Sequence, residues 1–386
     1  MKKNDLSFIA ACMGMFLFGI VMLSLGTINT YLIHKFQLNN LAAGSLASLL
    51  PFGILTGSLV FGPIVDRFGY KLLLIVCTLL IVFSILLIAF TGTFRLIQFG
   101  FLLIGFSGGA INGGTNALGS DVSLENKSAK LSLLGVFYGI GALSLPLITG
   151  ALSAYVPYQT IILAIGLFLL LPVIYFLAIP FPPPKQQQGI PLKKVFAMFR
   201  DKVLILFSLV LFFQSAAEGI SNNWSTNYLI NYHGLPDSKA LFALTLLVIG
   251  MTAGRLALSY ILRKAKPIRV FYLSCLLIAA SLLLVHFSGT TGWIWTGMLL
   301  LGMGLASGFP VMLAYVGERY AHLSGIAFSF ALVIALAGNT LLNLLTGFVS
   351  RTWGIRHVMS ILIAAAPVML LLAFLAYNKN KTTPLT

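Results

Sequence analysis

Runs of about twenty apolar residues follow one another along the whole chain, each long enough to cross a ~30 Å hydrocarbon layer as a helix. Of the 386 residues, 59% are hydrophobic and 8% charged, whereas a water-soluble domain carries about 25% charged residues. A solvated surface cannot be built from such a chain. The sequence therefore predicts an all-α membrane protein with twelve spans, near 7–33, 41–63, 71–92, 95–119, 131–154, 157–179, 203–232, 238–262, 268–288, 292–316, 322–350 and 355–377. The first run is too long for a signal peptide and lacks a small-residue cleavage site followed by a soluble domain, so it is read as a helix.

The formal charge of +16 invites nucleic acid or anionic lipid as a partner. Its distribution favours lipid. In the twelve-span reading only Lys35, Arg95, Lys239, Arg351 and Arg356 fall on one side, Arg255 lies inside a span, and the remaining basic residues fall on the other. This is the positive-inside bias, which predicts a multi-pass protein of the cytoplasmic membrane with both termini cytoplasmic. Trp293, Trp295 and Trp353 then sit at outer helix ends, as an aromatic belt would. No nucleic-acid role is expected. Cys12, Cys77 and Cys275 each lie in an apolar run, which predicts buried free thiols and no disulfide or metal framework.

The polar stretch "PFPPPKQQQGIPLKK" stops the sixth span and leads into "VFAMFRDK", a candidate amphipathic helix. It divides the chain into a six-helix half at 1–180, a linker at 181–202 and a second half at 203–386. The halves resemble each other at a constant offset of 197. Asn29-Thr30-Tyr31-Leu32-Ile33 maps onto Thr226-Asn227-Tyr228-Leu229-Ile230, Gly53 and Gly57 onto Gly250 and Gly254, Ser84 onto Ser281, Gly105 onto Gly302, and Asp121 onto Glu318. Two parallel six-helix repeats are a transporter architecture that serves alternating access.

"GPIVDRFGYK", from Gly62 to Lys71, resembles the G-x-x-x-D-R-x-G-x-K/R loop signature of the major facilitator superfamily. The resemblance covers the whole chain. It implies that Gly62, Asp66, Arg67, Gly69 and Lys71 latch a cytoplasmic gate. Asp121, Arg255 and Glu318 are further gate candidates, through pairs such as Arg67 with Asp121 and Arg255 or Arg263 with Glu318. "GFSGGAINGGTNALGSD", "GVFYGIGALSLPLITG" and "AAEGISNNWSTNYL" are similar to stretches of the fucose permease branch of proton–sugar symporters. That branch couples to protons through acidic residues in spans one and four. Here span one has no carboxylate and the matching place in span four is Asn112, so those proton sites do not carry over.

Polar side chains inside a span are expensive and tend to face the interior. Gln214, Glu218 and Asn222 are spaced by four, on one face of span seven. Asn112 and Asn116 repeat that spacing in span four, and Asn339 and Asn343 in span eleven. With Asn29, Tyr138 and Trp224 they form the predicted substrate-binding set, since amides both donate and accept as a polyhydroxylated solute requires. The alternative for the Asn pairs is cross-linking of helices, and for Tyr138 and Trp224 simple packing, or a place in the outer belt for Trp224. Glu218 falls opposite Val21 under the offset, so the repeat is broken at a carboxylate. A charge at a helix centre costs on the order of 3 kcal/mol, which a carboxylate escapes by binding a proton. Glu218 is therefore the expected proton-coupling site or a direct ligand of substrate hydroxyls, with a salt bridge to Arg255 as the structural alternative.

No nucleophile–base pair or metal cluster lies within the spans, so an enzyme is not expected, and no catalytic residue, metal or cofactor is assigned. The leading reading is a monomeric proton-coupled symporter of a small polar solute, a sugar first among them, driven by H⁺. The alternative is an exporter of drugs or metabolites by proton antiport.

Overall fold

A backbone amide in hydrocarbon has no water to bond, so every apolar run must satisfy its own N–H and C=O groups as a helix. The computed structural model describes residues 3–36, 40–123, 125–152, 155–186 and 192–382, and among them there are helices and no strand. The helices are α1 (Lys3–Phe36), α2 (Asn40–Phe68), α3 (Tyr70–Phe90), α4 (Phe94–Asp121), α5 (Lys127–Leu152), α6 (Tyr158–Phe168), α7 (Leu170–Ala178), α8 (Leu192–Phe199), α9 (Lys202–Asn231), α10 (Asp237–Ile261), α11 (Pro267–Phe287), α12 (Thr291–Leu305), α13 (Gly308–Arg319), α14 (Ser324–Trp353) and α15 (Val358–Thr382). Among the described residues, twelve helical segments are long and apolar enough to cross a membrane. This bears out the predicted all-α membrane fold.

Two predicted spans are interrupted. The sixth consists of α6 and α7, which meet at Leu169, and the tenth of α12 and α13, which meet at Ala306 and Ser307. A proline follows each break closely, Pro172 and Pro310. Proline lacks the N–H that its helix position requires and crowds the carbonyl four residues back. The linker helix α8 forms over eight residues, with Val195 and Met198 buried and Phe196 exposed. Cys12, Cys77 and Cys275 are buried free thiols, as expected.

The chain forms two compact units. Unit 1 comprises Met1–Leu124, Phe137–Leu192 and Ala321–Ser329, and unit 2 comprises Glu125–Val136, Lys193–Tyr320 and Phe330–Thr386. Helix α5 thus begins in unit 2 and continues in unit 1, and α14 begins in unit 1 and continues in unit 2.

The packing inside each unit reproduces the 197-residue offset. In unit 1, a Cβ added to Gly53 would come 2.4 Å from the Leu102 carbonyl oxygen, and one added to Gly105 would come 2.3 Å from that of Leu50. In unit 2, Gly250 meets the Leu299 carbonyl at 2.1 Å and Gly302 meets that of Leu247 at 2.0 Å. Each pair is the other moved by 197. The same holds for Gly100 against Ile88 and Gly297 against Val285, and for the Ser84 and Ser281 hydroxyls, which donate to the Leu80 and Leu277 carbonyls. Helices α2 and α4, and likewise α10 and α12, approach backbone to backbone because glycine leaves no side chain between them.

These contacts leave no room for a methyl group. Gly302→Val is expected to destabilise unit 2 by about 1–3 kcal/mol through overpacking. Thermal unfolding of the purified protein in detergent would show it, with Gly289→Val as control because nothing lies within 4 Å of a Cβ there.

Candidate functional site

Helix α9 starts at a side-chain cap, with the Asp201 carboxylate accepting from the Val203 N–H at 2.8 Å. Its three polar residues fall on one face, as their spacing requires. Gln214 is fully buried. Its Nε2 donates to Glu218 Oε1 at 2.9 Å and to the Leu305 carbonyl at 2.7 Å. A carbonyl can only accept, which fixes the orientation of the amide. Leu305 ends α12, so the interruption before Pro310 supplies the acceptor. Gly308, the first residue of α13, makes space for the amide: a Cβ there would come 2.2 Å from Gln214 Cδ. Gln214 Oε1 is buried with no hydrogen-bond partner among the described residues.

Arg255 of α10 completes this group. Its Nη2 lies 3.7 Å from Glu218 Oε2, with side chains 11% and 18% exposed respectively. That separation makes an ion pair and is too long for a direct hydrogen bond. The Arg255 stem lies across Gly135 of α5, where a Cβ would come 2.5 Å from Arg255 Cδ, and the Ser132 hydroxyl donates to the Arg255 carbonyl at 2.7 Å. The salt-bridge alternative for Glu218 is the arrangement observed, and it removes Arg255 as the expected partner of Glu318. Glu318 is exposed and lies within electrostatic reach of Lys127 instead.

The remaining α9 candidates turn toward α14. Trp224 Nε1 and Asn223 Nδ2 both donate to Asn343 Oδ1 at 3.2 Å. Asn343 Nδ2 donates in turn to Asn339 Oδ1 at 2.6 Å. Gly219 admits Asn339, since an added Cβ would come 2.0 Å from its Oδ1. Trp224 therefore packs, half-buried, against the neighbouring helix α14. Asn222 is exposed and donates to the Glu218 backbone carbonyl at 2.8 Å.

Unit 1 carries its own polar face. Asn116 Nδ2 donates to Asn112 Oδ1 at 3.0 Å and to its carbonyl at 2.9 Å, with Met15 Sδ of α1 at 3.8 Å. The Tyr138 ring is 5.5 Å from that of Phe18. Asn29 lies on α1 in a stretch whose side chains fall outside the described residues.

The loop motif is also in unit 1. Asp66 is fully buried and accepts from the N–H groups of Gly325 and Ile326 at 3.2 and 3.0 Å, capping the first turn of α14. Gly62 permits this approach, since a Cβ there would come 2.6 Å from the Gly325 carbonyl. Gly69 has φ 86°, in the region that favours glycine. Lys71 Nζ donates to the Leu177 carbonyl at 2.7 Å near the end of α7. The expected pairing of Arg67 with Asp121 is replaced. Asp121 pairs with Lys185 at 2.6 Å and accepts from the Tyr70 and Ser324 hydroxyls, while the Arg67 guanidinium lies over the Phe68 ring. The segment after the proline run folds back to bring Lys185 there, with Gln186 N–H donating to the Asp66 carbonyl at 2.8 Å.

Besides Lys185, sequence reasoning missed the cluster around Asp201. Asp201 accepts from the Tyr320 hydroxyl at 2.6 Å and pairs with Arg319 at 3.3 Å, and Arg319 also donates to Asn380 Oδ1 at 3.3 Å. Burial and the neighbouring carboxylate push the Tyr320 hydroxyl up from its ordinary pKa. No group of three or more metal-ligating side chains occurs among the described residues.

Comparison with known proteins bears on the family and the fold. A sequence model described as Major Facilitator Superfamily matches residues 7–333. A curated protein named glucose/mannose transporter GlcP, from Bacillus subtilis (strain 168), is 23% identical over 383 residues, covering 92% of each chain. Among solved structures, the Escherichia coli fucose:proton symporter FucP superposes with a TM-score of 0.81 at 18% identity, covering 97% of this chain and 99% of that one. The proton:xylose symporter XylE gives 0.79 at 13% identity, with 97% and 95% covered. At these identities the structural likeness establishes the fold.

The pair and its amide generate a stability prediction. Removing one partner of a buried ion pair costs about 3–5 kcal/mol, because the other charge is left uncompensated. Arg255→Gln is expected to destabilise by roughly the lower end of that range, given the residual exposure of both side chains. Adding Glu218→Gln should recover part of the loss. A double-mutant cycle of thermal or denaturant unfolding in detergent measures the coupling, and additive effects would refute it.

Proposed function

The chain belongs to the major facilitator superfamily, and from that premise we propose that this multi-pass membrane transporter carries a small polar solute, a sugar, in symport with a proton. The observation that carries the reading is the Glu218 carboxylate, held between a fixed amide donor and an arginine that stands too far off to hydrogen-bond it. A proton on Glu218 cancels the charge that holds Arg255, and frees the guanidinium to donate to solute hydroxyls. Loss of that proton restores the pair. Proton and solute are then bound together or not at all, which is what symport requires.

The amides of Asn112, Asn116, Asn222, Asn339 and Asn343 suit hydroxyl groups by both donating and accepting, and Tyr138 and Trp224 offer ring faces. The names of GlcP, FucP and XylE support a sugar as cargo. In this reading the chain works as a monomer in the cytoplasmic membrane with both termini on the cytoplasmic side, where positive-inside bias puts most of its basic residues. Gly62, Asp66, Arg67, Gly69 and Lys71, with Asp121 and Lys185, form the latch that an alternating-access cycle makes and breaks at the start of α14.

The test is sugar-driven proton movement in vesicles containing the purified protein. Addition of glucose, mannose, fucose, galactose or xylose outside is expected to acidify the lumen for at least one of them. In Glu218→Gln the proton signal should vanish while exchange of labelled sugar persists. Proton movement that survives in the variant, or a wild type that moves none of these sugars, would sink the reading and turn the search to proton-antiport export of other metabolites or drugs.

A further inference from the structure

Gln214 shares its face of α9 with Glu218 and Asn222, as a solute ligand would, yet its surroundings give it different work. It is fully buried, and a Cβ at Gly308 would come 2.2 Å from its Cδ and 2.3 Å from its Oε1. The amide is pressed between α9 and the start of α13, out of a solute's reach. Its Nε2 donates to Glu218 Oε1 at 2.9 Å and to the Leu305 carbonyl at 2.7 Å, which commits both hydrogens. Turning the amide over would set its Oε1 against that carbonyl and against the carboxylate, acceptor upon acceptor. Gln214 therefore meets Glu218 as a donor and in no other way. The orientation is held even at the cost of an unpaired buried acceptor, since Gln214 Oε1 has no hydrogen-bond partner among the described residues.

The two oxygens of Glu218 consequently differ. Oε1 accepts the amide N–H, whereas Oε2 faces Arg255 Nη2 of α10 at 3.7 Å, an ion pair beyond hydrogen-bond length. Arg255 is the charged group that acts on this carboxylate. The other elements here bring Leu305 and Gly308 against Gln214 and, beside Gly219, Asn339 of α14. A protonated carboxyl has one carbonyl oxygen, the better acceptor, and one hydroxyl. A donor fixed at Oε1 favours the carbonyl there and the hydroxyl at Oε2.

We propose that Gln214 is a positioning residue that directs the proton to Glu218 Oε2, the oxygen facing Arg255. This deepens the reading of Glu218 as the proton-binding group and rests on it. An O–H at Oε2 sets a donor against a guanidinium, which carries only donors, so the proton itself displaces Arg255 from the pair. A proton on Oε1 would leave Oε2 as a carbonyl that still accepts from Arg255. The choice of oxygen decides whether proton binding releases the guanidinium, and Gln214 makes that choice without touching the solute.

Infrared difference spectroscopy of the full-length protein in membranes, acid minus neutral, tests it. The carboxyl C=O band of Glu218 is the one that Glu218→Gln removes. A C=O that accepts a hydrogen bond stretches at lower wavenumber than a free one. Gln214→Met keeps the volume and removes the donor, so the band is expected to move to higher wavenumber. Gly308→Ala, which leaves α9 unchanged and pushes the amide aside, should move it the same way. Asn222→Ala should leave it in place, since Asn222 donates to the Glu218 backbone carbonyl and not to the carboxyl. A general loosening of helix packing would not give this pattern. A band that stays put in Gln214→Met or, where that variant does not fold, in Gly308→Ala would overturn the assignment and leave Glu218 as the proton-binding group. So would a band moved equally by Asn222→Ala. No Glu218 band at any pH the fold survives would sink both. A band that shifts as expected in a protein that moves none of the sugars retains the assignment and sinks the symport reading.

Discussion

Hydrocarbon offers no partner to a backbone amide, and everything else in this chain follows from that. Helices are the solution each run can reach alone. Once formed, they have little hydrophobic reason to associate, because lipid is as apolar as leucine. Close packing must hold them, and glycine at the contact gives the closest packing. The seams between α2 and α4, and between α10 and α12, are built this way. The polar groups left inside must then find one another: Gln214 with Glu218 and Leu305, Trp224 with Asn343, Asp66 with the start of α14.

The fold was legible in the sequence because its two signals are long. An apolar run of twenty residues survives any local ambiguity, and a single offset recurring over many helices outweighs each loose match. The offset proved more literal than residue identity suggested, since it relates contacting pairs as well as positions. Interruptions at Leu169 and at Ala306–Ser307 were not read, although Pro172 and Pro310 marked both, because a proline inside an apolar run can kink a helix without ending it.

The candidate site was legible by face and not by partner. Spacing by four sets Gln214, Glu218 and Asn222 on one side of α9, but sequence gives no rotation of α9 relative to α10 or α14. For that reason Arg255 stood open between Glu218 and Glu318, and Trp224 between a neighbour and lipid. Lys185 escaped for a different reason. It belongs to a proline-stiffened segment with no periodicity, so nothing in its spacing says that it returns to Asp121. Asp201 was hidden likewise, a linker residue whose partners lie more than a hundred positions away.

The glycine seams bear on how such a molecule can move. Two helices whose backbones already touch, carbonyl against glycine, cannot slide along one another without first separating, so α2 with α4 and α10 with α12 behave as stiff planks. Deformation has to be absorbed where contacts run through side chains. The hydrogen bonds from Asn223 and Trp224 of α9 to Asn343 of α14 are such a place, because side-chain donors and acceptors can exchange partners without displacing a backbone. Rigidity and compliance are thus allotted by residue type, glycine to the beams and asparagine to the joints.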